Sequence, residues 1–152
     1  MTKTPAPTHA TFTVERSYAL PPEQVFSAWS EPTAKARWFA SPGARHHLDF
    51  RVGGTETTHG EHSPGATLTF TSTYQVIRPA ELIVYSSTLS SGATLSTVSI
   101  TTVEFLAEAG STRLVLTEYG VFLHETEIPE WRERGTRDWL DHLSLYLAAP
   151  AD

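Results

Sequence analysis

No cysteine occurs in the 152 residues. That excludes a disulfide scaffold, a thiolate metal centre and a cysteine nucleophile. No apolar run approaches the ~18 residues of a bilayer span, so no membrane partner is expected. Lys3 has no apolar stretch behind it that would make a secretory signal, and the cytoplasm is the expected compartment. Positive charge is in the minority: 11 Lys and Arg against 17 Asp and Glu leave a formal net charge of −6. A surface of that sign repels phosphate, so nucleic acid is not an expected partner. A phosphate loop, a dinucleotide fingerprint and a nucleophile elbow are missing, and no cofactor is expected. Apolar material is present in ordinary globular amount, 39% of residues. A chain of this length can bury a substantial core within one domain.

Residues 1–9, rich in Thr and Pro, read as a disordered arm, and 10–149 as a single domain. A strand is expected over Thr11–Leu20. Pro21-Pro22 opens a helix carrying Val25, Phe26 and Trp29, and a second short helix carries Ala34, Ala36, Trp38 and Phe39, closed by Pro42-Gly43. From His46 the period becomes two, with Leu48, Phe50 and Val52 on one face before Gly53-Gly54. Strands follow over Thr55–Glu61, Thr67–Val76, Leu82–Ser87, Thr94–Leu106 and Thr112–Tyr119, and their short connections favour antiparallel pairing. The last element is a helix over about 128–148. Thr126 is its expected N-cap, and Trp139, Leu140, Leu143 and Leu147 form an apolar stripe. The fold class is therefore α+β: a curved antiparallel sheet with one long C-terminal helix on its concave face.

Several segments resemble the Hsp90-ATPase-activator-homologue family of the START-like superfamily. They are Pro22-Glu23-Gln24-Val25-Phe26-Ser27-Ala28-Trp29, Arg37-Trp38-Phe39, Phe50-Arg51-Val52-Gly53-Gly54, the run from Tyr74 to Tyr85, the run from Thr112 to Glu118, and Gly135-Thr136-Arg137-Asp138-Trp139-Leu140. The resemblance covers roughly residues 10–149. It implies a helix-grip fold, a sheet wrapped around the C-terminal helix. Lipid-binding proteins, cyclases and hormone receptors share that superfamily. The eukaryotic cochaperone that names the family carries a further N-terminal domain. This chain has no room for one, so Hsp90 is not an expected partner.

Strand parity places Glu118 beside Leu114 and Leu116, so it is expected to face inward as the polar anchor for a ligand. A buried carboxylate is costly unless paired, which leaves a ligand anchor and an ion pair with an Arg both open. Tyr74 and Tyr85 on neighbouring strands, and Trp38 and Trp139 on helices, are the expected walls, with His142 at the rim. A small hydrophobic or amphipathic ligand is the expected partner of a monomer or homodimer. Two alternatives stand beside this: a cyclase- or hydrolase-like enzyme using Glu118 with Tyr74 or His142, and a cochaperone-like protein partner. His59, Glu61 and His62 lack a third convergent ligand, so no metal is expected. Thr97, Ser99 and Thr101 share a strand face that can form a polar pocket wall or, more simply, a solvated sheet surface; Arg132 reads as part of the exposed side of the helix, and Gly135 as a helical position needing some compensation.

Overall fold

The computed structural model describes residues 6–41, 43–63, 66–123 and 127–149. Strand β1 (Thr8–Tyr18) leads into α1 (Pro22–Ser30) and α2 (Pro32–Phe39). Strands β2 (Arg45–Leu48), β3 (Thr55–Ser63), β4 (Ala66–Arg78), β5 (Leu82–Ser91), β6 (Thr94–Glu108) and β7 (Ser111–Phe122) follow, then α3 (Pro129–Ala148). The strands form one seven-stranded sheet in the order β1-β7-β6-β5-β4-β3-β2. Every pairing is antiparallel.

Both short helices start with Pro in the first turn, where a missing N–H costs nothing. They are too short to persist alone, and packing holds them. Val25, Ala28 and Trp29 of α1 are buried against the sheet, as are Leu140 and Leu143 of α3. The apolar half of the concave face is built by Val14, Ile83, Val103, Leu114 and Leu116. Full burial of each such side chain contributes about 1.5–3 kcal/mol.

Details differ from the sequence expectations for identifiable reasons. β1 starts at Thr8, because Thr8 and His9 pair with Phe122 and Val121, so these two residues belong to the sheet. Residues 1–5 of the expected arm lie outside the described residues. β2 ends at Leu48, and Val52 is 60% exposed in the following turn. That turn is tied inward: Gly53 N–H donates to the Tyr74 carbonyl at 2.8 Å, and Tyr74 N–H donates to the Gly54 carbonyl at 3.0 Å. A Cβ on Gly54 would stand 2.2 Å from the Asp49 carbonyl oxygen, so this close approach requires glycine. Thr126 and Pro42 lie outside the described residues, and the residue preceding α3 is Ile128. Gly135 is exposed and a Cβ added there would meet nothing within 4 Å, so close approach to a strand does not account for that glycine.

Candidate ligand-binding site

Glu118 faces the interior, as its parity with Leu114 and Leu116 requires, and is 4% exposed. It accepts a hydrogen bond from Thr101 Oγ1 at 3.0 Å. The Arg132 guanidinium, from the first half of α3, donates through Nη1 to Glu118 Oε2 at 2.8 Å. Arg132 Nη2 donates to Thr97 Oγ1, and its Nε lies 3.6 Å from Glu127 Oε1. The guanidinium carbon also stands 5.7 Å from the ring centres of Phe70 and Phe122. Arg132 therefore belongs to the interior, correcting its placement on the exposed side of the helix. The acceptors above it on β6 and β7 pull it inward.

A second buried carboxylate, Glu56 on β3, lies on the same concave face. Lys35 Nζ of α2 donates to its Oε1 at 2.9 Å, and the Tyr74 hydroxyl donates to the same oxygen at 2.8 Å. His46 Nε2 meets Oε2 at 2.7 Å. Burial works to raise the Glu56 pKa. The Lys35 ammonium and the bonds from His46, Lys35 and Tyr74 outweigh it and hold the carboxyl at about 2. Lys35 is enclosed by Phe39, Trp29 and Trp38, with Nζ 4.4, 5.0 and 5.5 Å from the ring centres. Burial, and then the charges of Glu118 and Glu56, push the Tyr85 phenol well above its ordinary range, so it remains a neutral hydroxyl.

Between these clusters the sheet floor is made of small polar residues. Glu56 pairs with Ser72, Ser72 with Ser87, Ser87 with Ser99, and Ser99 with Gly120. All of these residues are buried. The Ser72 and Ser87 hydroxyls bond each other at 2.7 Å. Ser99 Oγ is buried with no hydrogen-bond partner among the described residues. One ladder step outward, the row Thr58, Phe70, Leu89 runs parallel. These three residues line a cleft of about 690 Å³ between the α2–β2 connection and strands β2–β5. Thr58 Oγ1, on that lining, likewise has no described partner. Thr97, Ser99 and Thr101 are thus buried floor, not solvated surface, because Arg132 and Thr136 of α3 cover this half of the sheet.

The expected site residues separate into groups. Glu118 and Tyr85 share the interior between the clusters. Tyr74 bonds Glu56 rather than Glu118. Trp38 is buried, its indole N–H donating to the Ala28 carbonyl at 3.0 Å. Its ring lies 5.6 Å from Trp139, which lies 5.1 Å from Phe39, and Phe39 is 6.4 Å from Phe70 at the cleft. His142 stands on the solvent side of α3 and is exposed. Its helical phase points away from the face carrying Arg132, Thr136, Leu140 and Leu143. Neither Tyr74 nor His142 hydrogen-bonds Glu118 among the described residues. No cluster of three metal-ligating side chains occurs among the described residues. No described helix is long and apolar enough to cross a membrane.

Sequence reasoning missed Arg132, Lys35, Glu56 and the serine row. For Glu56 a signal existed: it alternates in phase with Thr58, opposite Leu48, a position that an inward-facing strand residue would hold.

Residues 19–148 match the family described as Activator of Hsp90 ATPase homolog 1-like protein. No curated protein matches the chain. Among solved structures, a protein of Rhizobium leguminosarum is 39% identical with TM-score 0.88, covering 93% of this chain and 96% of its own. The Mll3558 protein of Rhizobium loti is 34% identical with TM-score 0.87, covering 93% and 99%. An Hsp90 activator from Plasmodium falciparum shares the fold at 22% identity and TM-score 0.66, covering 92% and 97%.

Proposed function

The chain belongs to the Activator of Hsp90 ATPase homolog 1-like family, and from that premise we propose that it binds a small amphipathic molecule between sheet and C-terminal helix. The observation that carries this reading is the cleft of about 690 Å³ whose lining row, Thr58, Phe70 and Leu89, stands next to the buried, hydroxyl-bearing row of the sheet. A core built only for stability gains little from buried hydroxyls without partners, since each forgoes its hydration. In this reading Phe70 and Leu89 receive the apolar part of the ligand at the cleft. The aromatic series Phe39, Trp139 and Trp38 backs that wall. Tyr85 and the Glu118–Arg132 pair form the polar inner end, with Tyr74 held in place by Glu56. Volumes of roughly 300–1,000 Å³ with few placed polar groups are typical of small-molecule sites.

Titration with the uncharged fluorophore N-phenyl-1-naphthylamine, followed by tryptophan quenching, tests the reading. Saturable binding is expected. Native mass spectrometry of protein purified from its own host should retain a bound small molecule. Glu118→Gln strips Arg132 of its buried partner, so it should lower stability and, below its melting temperature, weaken a hydroxyl-bearing ligand. Failure of the wild type to bind the fluorophore, with no retained ligand, would refute the proposal. Unchanged binding by the Gln variant would remove Glu118 from the site.

A further inference from the structure

We infer that this site takes an uncharged ligand, one bearing a hydroxyl or carbonyl group that reaches Ser99, and that it discriminates against carboxylates and amines. The inference rests on the binding site proposed above and assigns its ligand class. Among the described residues, the fixed charges buried between helix and sheet are Lys35, Glu56, Glu118 and Arg132. They are already matched in pairs at hydrogen-bond distance, Lys35 with Glu56 at 2.9 Å and Arg132 with Glu118 at 2.8 Å. Glu127, the remaining carboxylate near Arg132, is partly in water. His46 joins the Glu56 cluster through Nε2.

Both cations are engaged as well. Arg132 spends its guanidinium on Glu118, Thr97 and Glu127. The Lys35 ammonium is bonded to Glu56 and enclosed by aromatic rings. An entering carboxylate would find no free cation, and would have to displace Glu118 or remain unpaired. An entering ammonium faces the mirror problem, because both carboxylates are committed. Burying an unpaired charge, or stripping one partner from a buried pair, is far more costly than burying a neutral polar group that finds a hydrogen bond. The buried group left open on the floor is a hydroxyl: Ser99 Oγ, in a 2% exposed residue, has no described partner. It can donate to a ligand carbonyl or accept from a ligand hydroxyl. Its neighbours in the row, Ser87 and Gly120, are small. At the cleft rim Arg45 and Glu61 carry opposite charges on exposed positions, where water screens them.

Calorimetric titration with three probes sharing one ring system tests this: 2-naphthol, 2-naphthoate and 2-naphthylmethylammonium at neutral pH. The expected order is 2-naphthol tighter than either ion by at least tenfold. Ser99→Ala should weaken 2-naphthol severalfold while melting at or above the wild-type temperature. If either ion binds as tightly as 2-naphthol, the charge selectivity is overturned while the site itself stands. If Ser99→Ala melts normally and binds 2-naphthol unchanged, the assignment to Ser99 is overturned. If none of the three binds, and the uncharged fluorophore does not either, the site fails and the inference with it.

Discussion

Replacing Arg132 by Met should be among the most damaging single changes available on α3, and removing Glu118 as well should repair most of the damage. Arg132 and Glu118 side chains are 9% and 6% exposed, and their charged atoms are 2.8 Å apart. Arg132→Met keeps the aliphatic stem against Phe70 and Phe122 but leaves Glu118 with Thr101 alone. Removing one partner of a buried pair costs about 3–5 kcal/mol, because the surviving charge stays out of water. For a denaturant slope of about 2 kcal/mol per molar urea, that moves the midpoint down by roughly 2 M. Arg132→Met with Glu118→Leu removes both charges. Such replacements are often neutral, or stabilising by about 1–4 kcal/mol, so the double variant should unfold within about 1 kcal/mol of wild type or later. Thr97 and Thr101 lose their partners in the double variant, which limits the recovery. Urea denaturation read by far-ultraviolet circular dichroism, with equal slopes across the variants, provides the measurement. A cost below about 1 kcal/mol for Arg132→Met, or a double variant no better than the single one, would show that the pair is solvated and that this half of the interior is open.

The acid limb of stability should carry the signature of Glu56. Its carboxyl is held at about 2 against an ordinary 4.5, so its stabilisation is complete above 4.5 and is lost as pH falls toward 2, about 3 kcal/mol in all. Glu56→Gln should flatten the limb; parallel acid curves for variant and wild type would refute this. Leu143→Ala should cost about 2–5 kcal/mol, since Leu143 is fully buried on α3, and an unchanged urea midpoint would contradict its packing. Gly135→Ala should raise stability by about 0.5–1 kcal/mol, because the added methyl meets open space at an ordinary helical position; a lower melting temperature would show that the glycine serves a role outside helix propensity.

Alternation made the sheet legible from sequence. In β7 the inward series Leu114, Leu116, Glu118 was readable because two apolar neighbours fix the phase of the third. The stripe of Leu140 and Leu143 fixed the inner face of α3 in the same way. The polar half of the interior was not readable by that logic. Thr97, Ser99 and Thr101 alternate with Val98 and Ile100, which are 40% and 53% exposed, so hydropathy assigns the two faces of β6 in reverse. Only the register with Gly120 and Glu118 on β7 reveals which side is inside. Arg132 and Lys35 were hidden for a related reason. A lone cation on a short or charged helix reads as solvent-facing until its carboxylate, over a dozen residues away in the chain, is placed opposite it. His142 was read along one edge of the apolar stripe; it adjoins Leu143 in sequence, and one residue of helix rotates a side chain by about 100°, here onto an exposed position.

The sheet order has a consequence for how the chain reaches this state. Strands β2 to β7 are consecutive neighbours, so each can zip onto the one before it through a local hairpin. β1 is the exception: Thr13 lies opposite Thr117, 104 positions later. A growing polypeptide therefore produces β1, with Phe12 and Val14 ready to pack, yet has no β7 to receive it until β2 to β6 have also been made. Closing so long a loop is the slow kind of step, and α3, which covers Val14 and the leucines of β7, cannot dock productively before it. The cradle must wait for its two ends to meet.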